Sequence, residues 1–278
     1  MDVVGGIDRL RPAHGRLFVV VGVFDGLHRG HRYLLAQLRR TAARHGARAA
    51  VVTFDAHPDE IVLGAAPPLL CDSDERLARL AADGVELTVV QHFDEALRMT
   101  EFDAFVAALG ARVELAGFLM TPDAAFGHER RGTPATLAEL GRQRGFEVVV
   151  VPPFALDGRP VRSSTHRSDI AAGDLAAARH LLGRPVAATG LIGPDAALTF
   201  PIPVALPPAG RYAGVVEPAW TPAGRVAAPR RTIVTVDDSG LRLSRGAPGI
   251  GARWRVSFGR GLPPRVNPAI LGRSQKDV

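Results

Sequence analysis

Short apolar runs alternate with stretches of helical composition through the first two thirds of the chain. Leu17–Val21, Ala49–Phe54, Leu87–Val90, Val113–Met120 and Glu147–Val151 have the length and β-branched character of buried strands. Arg29–His45, Ser73–Ala82, Thr100–Leu109 and Ala135–Arg144 fill the intervals as helices. In the first helix Tyr33, Leu34, Leu38 and Ala42 fall on roughly one face. Asp72 is placed to cap the second, with Glu75 three residues on, and a Thr-x-x-Asp start opens the third at Thr100. Strands joined by helices of this length require crossover connections. The expected fold is therefore α/β: a Rossmann-like, doubly wound parallel sheet. Asp169–Ala171 and Leu175–Leu182 read as two short closing helices.

The construction changes near Pro185. Residues 1–185 carry 22 basic and 23 acidic side chains, whereas residues 186–278 carry 12 and five. All nine histidines lie before the break, and 12 of the 22 prolines lie after it. Val204–Leu206, Tyr212–Val216, Arg231–Val236, Leu241–Leu243 and Trp254–Phe258 are short apolar segments punctuated by Pro and Gly. They predict a small antiparallel β-barrel-like domain, with a hairpin turn in Val236–Leu241. The expected division is 1–185 and 186–278, with a loose tail after about Pro263.

With 46% hydrophobic residues in 278, the chain can bury a core without cross-links. Its single cysteine, Cys71, excludes an internal disulfide framework and reads as an inert small residue. No apolar run reaches membrane-spanning length, and the first 17 residues lack the apolar segment of a signal peptide, so a soluble cytoplasmic protein is expected. The net charge of +6 does not point to nucleic acid: Lys276 is the one lysine, and the later region lacks interleaved aromatic and basic residues. Small-molecule substrates are the expected partners, and composition does not specify an oligomeric state.

Chemistry concentrates directly after the first strand, in Gly22–Val23–Phe24–Asp25–Gly26–Leu27–His28–Arg29–Gly30–His31. A strand, a glycine-punctuated turn and a helix N-terminus occur in succession where parallel sheets bind ligands. The first turn of a helix offers unpaired N–H groups and a positive dipole end, which suits phosphate. Gly26 and Gly30 let backbone approach an anion, and His28 and His31 project from one side of that first turn. Two imidazoles there can donate hydrogen bonds to oxygens that gain charge during phosphoryl or nucleotidyl transfer. The segment has neither the Gly-Lys-Ser/Thr of a P-loop nor Gly-x-Gly-x-x-Gly, and no third ligand accompanies the histidines to suggest a metal site.

Gly-x-Phe-Asp-Gly-x-His-x-Gly-His resembles the nucleotide-binding motif of the bacterial bifunctional riboflavin kinase/FAD synthetase family. Further segments resemble that family in order: Thr53–Phe54–Asp55–Ala56–His57–Pro58, Asp123–Ala124–Ala125–Phe126–Gly127, Arg162–Ser163–Ser164–Thr165, and the stretch from Ala171 to Pro185. The resemblance spans about residues 16–185. It implies FMN adenylyltransferase chemistry, with ATP and FMN as substrates, Mg²⁺ carried on the ATP phosphates, and no dedicated protein metal site. It implies that His28 and His31 are catalytic. Gly22, Val23, Phe24, Asp25, Gly26, Gly30, Ser163, Ser164, Thr165 and Arg167 would bind the nucleotide, and Phe54, His57, Pro58, Asp123 and Phe126 would line the flavin side.

Three departures qualify that expectation. The family's arginine three residues after Thr is Ser168 here, with Arg167 one position earlier. Ala56, Ala124 and Ala125 replace larger residues on the flavin side. The Gly-x-Pro-Thr-Ala-Asn of the family's kinase barrel is not recognisable; the nearest segment is Leu198–Val204, and the later acids are Glu217, Asp237, Asp238 and Asp277. The expected activity is therefore adenylyl transfer without riboflavin kinase activity. A nucleotidyltransferase with another acceptor, or a non-catalytic nucleotide- or flavin-binding paralogue, are the alternatives.

Overall fold

The computed structural model describes residues 1–219, 228–244 and 251–263. Its first part is a six-stranded, wholly parallel sheet with strand order β1-β4-β3-β2-β5-β6. The strands are β1 (Asp2–Gly5), β2 (Leu17–Val21), β3 (Arg48–Phe54), β4 (Leu87–Gln91), β5 (Leu115–Met120) and β6 (Glu147–Val150); a separate two-stranded antiparallel hairpin, β7 (Ala155–Leu156) and β8 (Arg159–Pro160), follows them. The helices are α1 (Arg29–Arg44), α2 (Pro58–Leu63), α3 (Ser73–Ala82), α4 (Glu95–Arg98), α5 (Phe102–Gly110), α6 (Pro134–Arg144), α7 (Ser163–Ala171) and α8 (Leu175–Leu182).

Alternation along β2 separates two cores. Leu17 and Val19 join Phe105, Leu109 and Leu137 on the α5/α6 face, whereas Phe18 and Val20 join Leu35, Leu38 and Leu80 on the α1/α3 face. The buried stripe of α1 is Leu35, Leu38, Thr41 and Ala42; Tyr33 lies at its margin and stacks on Phe154. The chain grows from β2 through β3 to β4, then crosses back to β5, so order reverses between β2 and β5. Their carboxyl ends open the crevice where such sheets bind ligands.

The second part is a closed six-stranded barrel of order β10-β13-β12-β11-β14-β9, antiparallel throughout. It comprises β9 (Ala187–Ile192), β10 (Ala197–Thr199), β11 (Gly210–Pro218), β12 (Arg230–Asp237), β13 (Gly240–Ser244) and β14 (Arg253–Leu262). Closure removes free strand edges, so the small barrel can stand on a modest core. Ile170, Ala178 and Leu182 of α7 and α8 join that core with Val216, Val234 and Val256.

Several local expectations change. Thr100 does not cap α5; Glu101 is its N-cap, and the Thr100 hydroxyl donates to the Ala96 carbonyl instead. Asp72 caps α3 by accepting the Glu75 N–H at 2.7 Å, but the Glu75 carboxylate turns to arginines rather than closing a capping box. The Asp169–Ala171 helix is the end of a longer one, α7, which starts at Ser163. Val204–Leu206 forms no strand, because Pro201, Pro203, Pro207 and Pro208 interrupt any ladder; Val204 makes one parallel bridge to Leu69. The hairpin is present, with Asp237 opposite Gly240. The tail beyond Pro263 lies outside the described residues. Strands β1, β9 and β10 and helices α2 and α4, each six residues or shorter, were not anticipated.

Candidate active site

Segment Gly22–His28 connects β2 to α1 at the sheet's reversal point. It is an unrelaxed turn: Phe24 and Leu27 hold φ of 55° and 34°, in the left-handed region that side chains disfavour. Gly26 adopts φ 78°, and a Cβ there would lie 2.7 Å from that of Leu70. What holds the turn is a set of donors to its carbonyls. Val23 O accepts from Thr53 Oγ1 at 3.0 Å and from Arg76 at 3.2 Å. Asp25 O accepts from the Ser163 hydroxyl at 3.1 Å. Gly26 O and Leu27 O accept from Arg184 at 2.5 and 3.4 Å. Four carbonyls of the turn are thus tied to side chains of other elements.

His28 is the N-cap of α1, and its Nδ1 accepts the His31 N–H at 3.2 Å. An imidazole that accepts at Nδ1 while neutral carries its proton on Nε2 and donates there. Its ring stacks on His31 at 3.7 Å between centroids and 12° between planes. A third imidazole, His166 of α7, stacks against His28 with centroids 5.0 Å apart. Phe24 packs against His31 at 5.0 Å. Burial keeps all three imidazoles neutral: it drives His28 far below the ordinary histidine range, His31 down to about 3 and His166 down to about 4, with Arg184 adding repulsion at each. Gly30 is required by this packing. A Cβ on it would lie 2.9 Å from the Val161 carbonyl and 3.1 Å from His28 Nδ1.

Asp25 is buried, 4% exposed. Its Oδ1 accepts the Leu70 N–H at 2.9 Å, and its Oδ2 pairs with Arg167 at 2.6 Å. Burial pushes the Asp25 carboxyl up against the pull of Arg167. Arg167 also donates to the Pro68 carbonyl at 2.8 Å, so it clamps the turn to the 67–70 loop. Ser163 lies at the first position of α7, Ser164 is exposed beside it, and Thr165 is half-buried. Cys71 accepts the Gly26 N–H at 3.3 Å, and burial pushes its thiol up to about 12.

A cleft of about 630 Å³ opens beside the turn, within the size range of small-molecule sites. Gly22, Val23, Phe54, His57, Pro58 and Phe126 line it. Phe54 meets Phe93 edge-on at 5.2 Å, and His57 caps α2 through its Nδ1. Arg98, His128 and Arg130 add polar groups to the wall. A smaller hollow of about 140 Å³, bordered by Phe24, His31, Met120 and Thr121, sits at the reversal point itself. Asp123 does not line either cavity. It is exposed, paired with Arg162 at 2.9 Å, and its Oδ1 accepts the Thr121 hydroxyl.

The turn, His28, Gly30, His31, Ser163 and Arg167 thus come together, while four of the five flavin-side candidates share the larger cleft. Sequence reasoning missed Arg76, Arg98, Arg130, His166 and Arg184. The Gly-Arg-Pro linker and the histidine inside the Ser-Ser-Thr helix were the available signals for Arg184 and His166. Arg76 left none, because its contact lies 53 residues away along the chain.

Sheet order, turn and stacked histidines define a Rossmann-like, nucleotidyltransferase-type α/β domain joined to a closed β-barrel. Residues 10–165 match the FAD synthetase family. The bifunctional riboflavin kinase/FMN adenylyltransferase of Escherichia coli (strain K12) is 30% identical over 222 residues, 78% of this chain and 71% of that protein. The protein of the same description from Pseudomonas fluorescens is 32% identical over 195 residues; the match covers 69% of this chain and spans 62% of the relative's length. A solved structure described as a macrolide-efflux protein from Streptococcus pneumoniae shares the fold, with TM-score 0.76 at 21% identity over 97% of this chain and 94% of that one. The chain belongs to the FAD synthetase family.

Proposed function

We propose that this chain is an FMN adenylyltransferase, converting ATP and FMN to FAD and pyrophosphate, and that it lacks riboflavin kinase activity. The neutral His28–His31 stack at the N-terminus of α1, beside the sheet's reversal point, is the observation that carries the reading. A phosphate oxygen of FMN attacks the α-phosphorus of ATP. The new P–O bond forms as the bond to the bridging oxygen of pyrophosphate breaks. The nucleophile is already anionic, so the protein's work is alignment and charge stabilisation. His28 Nε2–H and the α1 amides donate to α-phosphate oxygens as charge builds on them. Neutrality suits the task, since a donor that stays uncharged through the working pH range neither loses its proton to phosphate nor changes its strength. The larger cleft takes the flavin between Phe54, Phe126 and Pro58, with Arg98 and Arg130 at its rim.

Mg²⁺ enters as the counterion of ATP. Among the described residues no group of three or more carboxylates, histidines or cysteine is gathered to hold a metal, and the Asp25 carboxylate is paired with Arg167. The absence of the kinase step is supported by Leu198–Val204, where Ile202 and Val204 follow Pro201 at the positions of the family's Thr and Asn, and by Glu217, which is buried and paired with Arg255 at 2.8 Å. We further take the chain as two units dividing at residue 185, working in the cytoplasm on small molecules. Among the described residues no helix is long and apolar enough to cross a membrane.

Purified protein incubated with ATP, Mg²⁺ and FMN should release FAD and pyrophosphate in equal amounts. His28→Ala should lower kcat by about 10²–10³-fold, the usual cost of one donor to a developing oxyanion. Pyrophosphate release with another phosphorylated acceptor but not FMN would favour the second reading, motivated by Ala124 and Ala125 at the cavity walls. Folded protein that releases no FAD or pyrophosphate would refute the proposal.

A further inference from the structure

The nucleotide turn is tied to the barrel by two routes. In the first, Arg184, in the linker between α8 and β9, donates to Gly26 O and Leu27 O. Its Nε lies 3.9 Å from Glu75 Oε1. Glu75 is 3% exposed and accepts from Arg79 at 2.6 and 2.8 Å and from Arg255 of β14 at 3.2 Å. Arg255 is held in turn by Glu217 of β11. Burial would raise the Glu75 carboxyl, but the convergence of Arg255, Arg79 and Arg184 outweighs it and holds the group ionised. In the second route, Pro203 O and the Ala205 N–H bond Leu69 on both sides, and the adjacent Leu70 N–H binds the Asp25 carboxylate. The second route passes through the region where the kinase motif is expected.

We propose that Arg184, backed by Glu75 and Arg255, is a positioning residue that holds the Gly26–Leu27 end of the turn in its ligand-facing shape, so that the barrel sets the affinity of the site for a nucleoside triphosphate. The inference rests on the adenylyltransferase reading for the location of the ATP site. The physical reason is the strain at Phe24 and Leu27: two non-glycine residues in the left-handed region relax unless neighbouring contacts over-determine them. Arg184 spans adjacent carbonyls with one planar fork, which a lysine cannot do. The basic excess of the second domain then has a use, since Arg253 and Arg255 face Asp72, Asp74 and Glu75 at the start of α3.

The test measures ATP Kd by calorimetry, KM for ATP and for FMN, and Tm, on the full chain and on Arg184→Met, Arg184→Lys, Arg255→Met and Arg253→Met. Arg184→Met should raise ATP Kd and KM about tenfold and leave the FMN KM within twofold. Arg184→Lys should recover part of that loss, and Arg255→Met should raise ATP Kd about threefold. The Arg184→Met/Arg255→Met double variant should be no weaker than Arg184→Met alone, because both act on one path. Arg253→Met breaks interface pairs that do not reach the turn, and should lower Tm with ATP Kd unchanged. If Arg184→Met fails to fold, Arg184→Lys with wild-type ATP Kd overturns the inference. Folded Arg184→Met with a lower Tm and unchanged ATP Kd also overturns it, as does an equal rise in ATP and FMN KM. Wild-type protein that binds no ATP would instead defeat the functional reading beneath it.

Discussion

Gly30→Ala separates the geometry of the site from the stability of the fold. Gly30 is the second residue of α1, where alanine is normally the better helix former by about 1 kcal/mol. The added methyl would lie 2.9 Å from the Val161 carbonyl and 3.1 and 3.2 Å from Nδ1 and Cε1 of His28. Ordinary contact begins near 3.4 Å, so something must move by several tenths of an ångström. The Val161 carbonyl is backbone of a buried residue two positions before α7. The His28 ring is the softer partner, yet it is braced by His31 at 3.7 Å and by the hydrogen bond at its Nδ1. Displacing it tilts Nε2 away from the place where the proposed reaction brings the α-phosphate. Overpacking costs about 1–3 kcal/mol and the propensity gain offsets part of it, so Tm should fall by no more than about 5 °C. A misplaced catalytic group is far more expensive in rate, with about 10²-fold lost per ångström, and kcat/KM for FAD formation should fall about 10–100-fold. Gly5→Ala, where a Cβ meets nothing within 4 Å, serves as the neutral control. A folded Gly30→Ala enzyme with kcat/KM within twofold of wild type would refute the reasoning. So would a loss of activity accompanied by a Tm drop of tens of degrees.

Three further outcomes are expected. His166→Phe should raise Tm by a few degrees while reducing turnover, because the imidazole is fully buried and neither ring nitrogen has a partner among the described residues, a cost of about 1–3 kcal/mol per unpaired group; an unchanged or lower Tm in a thermal melt contradicts this. Stability should fall with acidity below pH ~6.5, since the unfolded chain takes up protons there while His166, held at about 4, and the deeply depressed His28 do not; each contributes up to about 1.4 kcal/mol per pH unit until the folded pKa is reached, full stability is present above pH ~6.5, and a urea midpoint constant from pH 7 to 5 would rule it out. Glu75→Gln should destabilise by about 3 kcal/mol or more, seen as a shift in denaturation midpoint, because it leaves the buried Arg255 without one of its two carboxylate partners; a midpoint within error of wild type would show that the network adds nothing.

The parallel sheet was legible because each strand is a short apolar run and each crossover helix has its own period, signals that survive without long-range information. Gly22–His31 was legible for a similar reason: strand, turn, cap and histidines are contiguous, so local chemistry fixes their proximity. Short elements such as β1, α2 and α4 carry too few residues for a periodic signal, and β9 and β10 acquire strand character only when the barrel closes around them. Asp123 shows the limit of motif reading, since its carboxylate is drawn outward by Arg162 and Thr121 instead of facing the cleft. Arg167, one position before the family's arginine, has Asp25 and the Pro68 carbonyl as its neighbours, a placement that no local pattern encodes.

The sequence by itself determined the sheet, the barrel class, the position of the turn and the identity of its histidine pair. Only the tertiary structure decided what holds that turn. Arg76, Ser163, Arg167 and Arg184 reach it from 53 to 158 residues away, and His166 enters the imidazole stack from the far end of the same domain. An arginine's pairing depends on which carbonyls the fold leaves beside it, and no local pattern encodes that. The charge imbalance along the chain follows the same logic. Sequence located the excess of arginine in the second region, and packing turned two of those arginines toward the acidic start of α3.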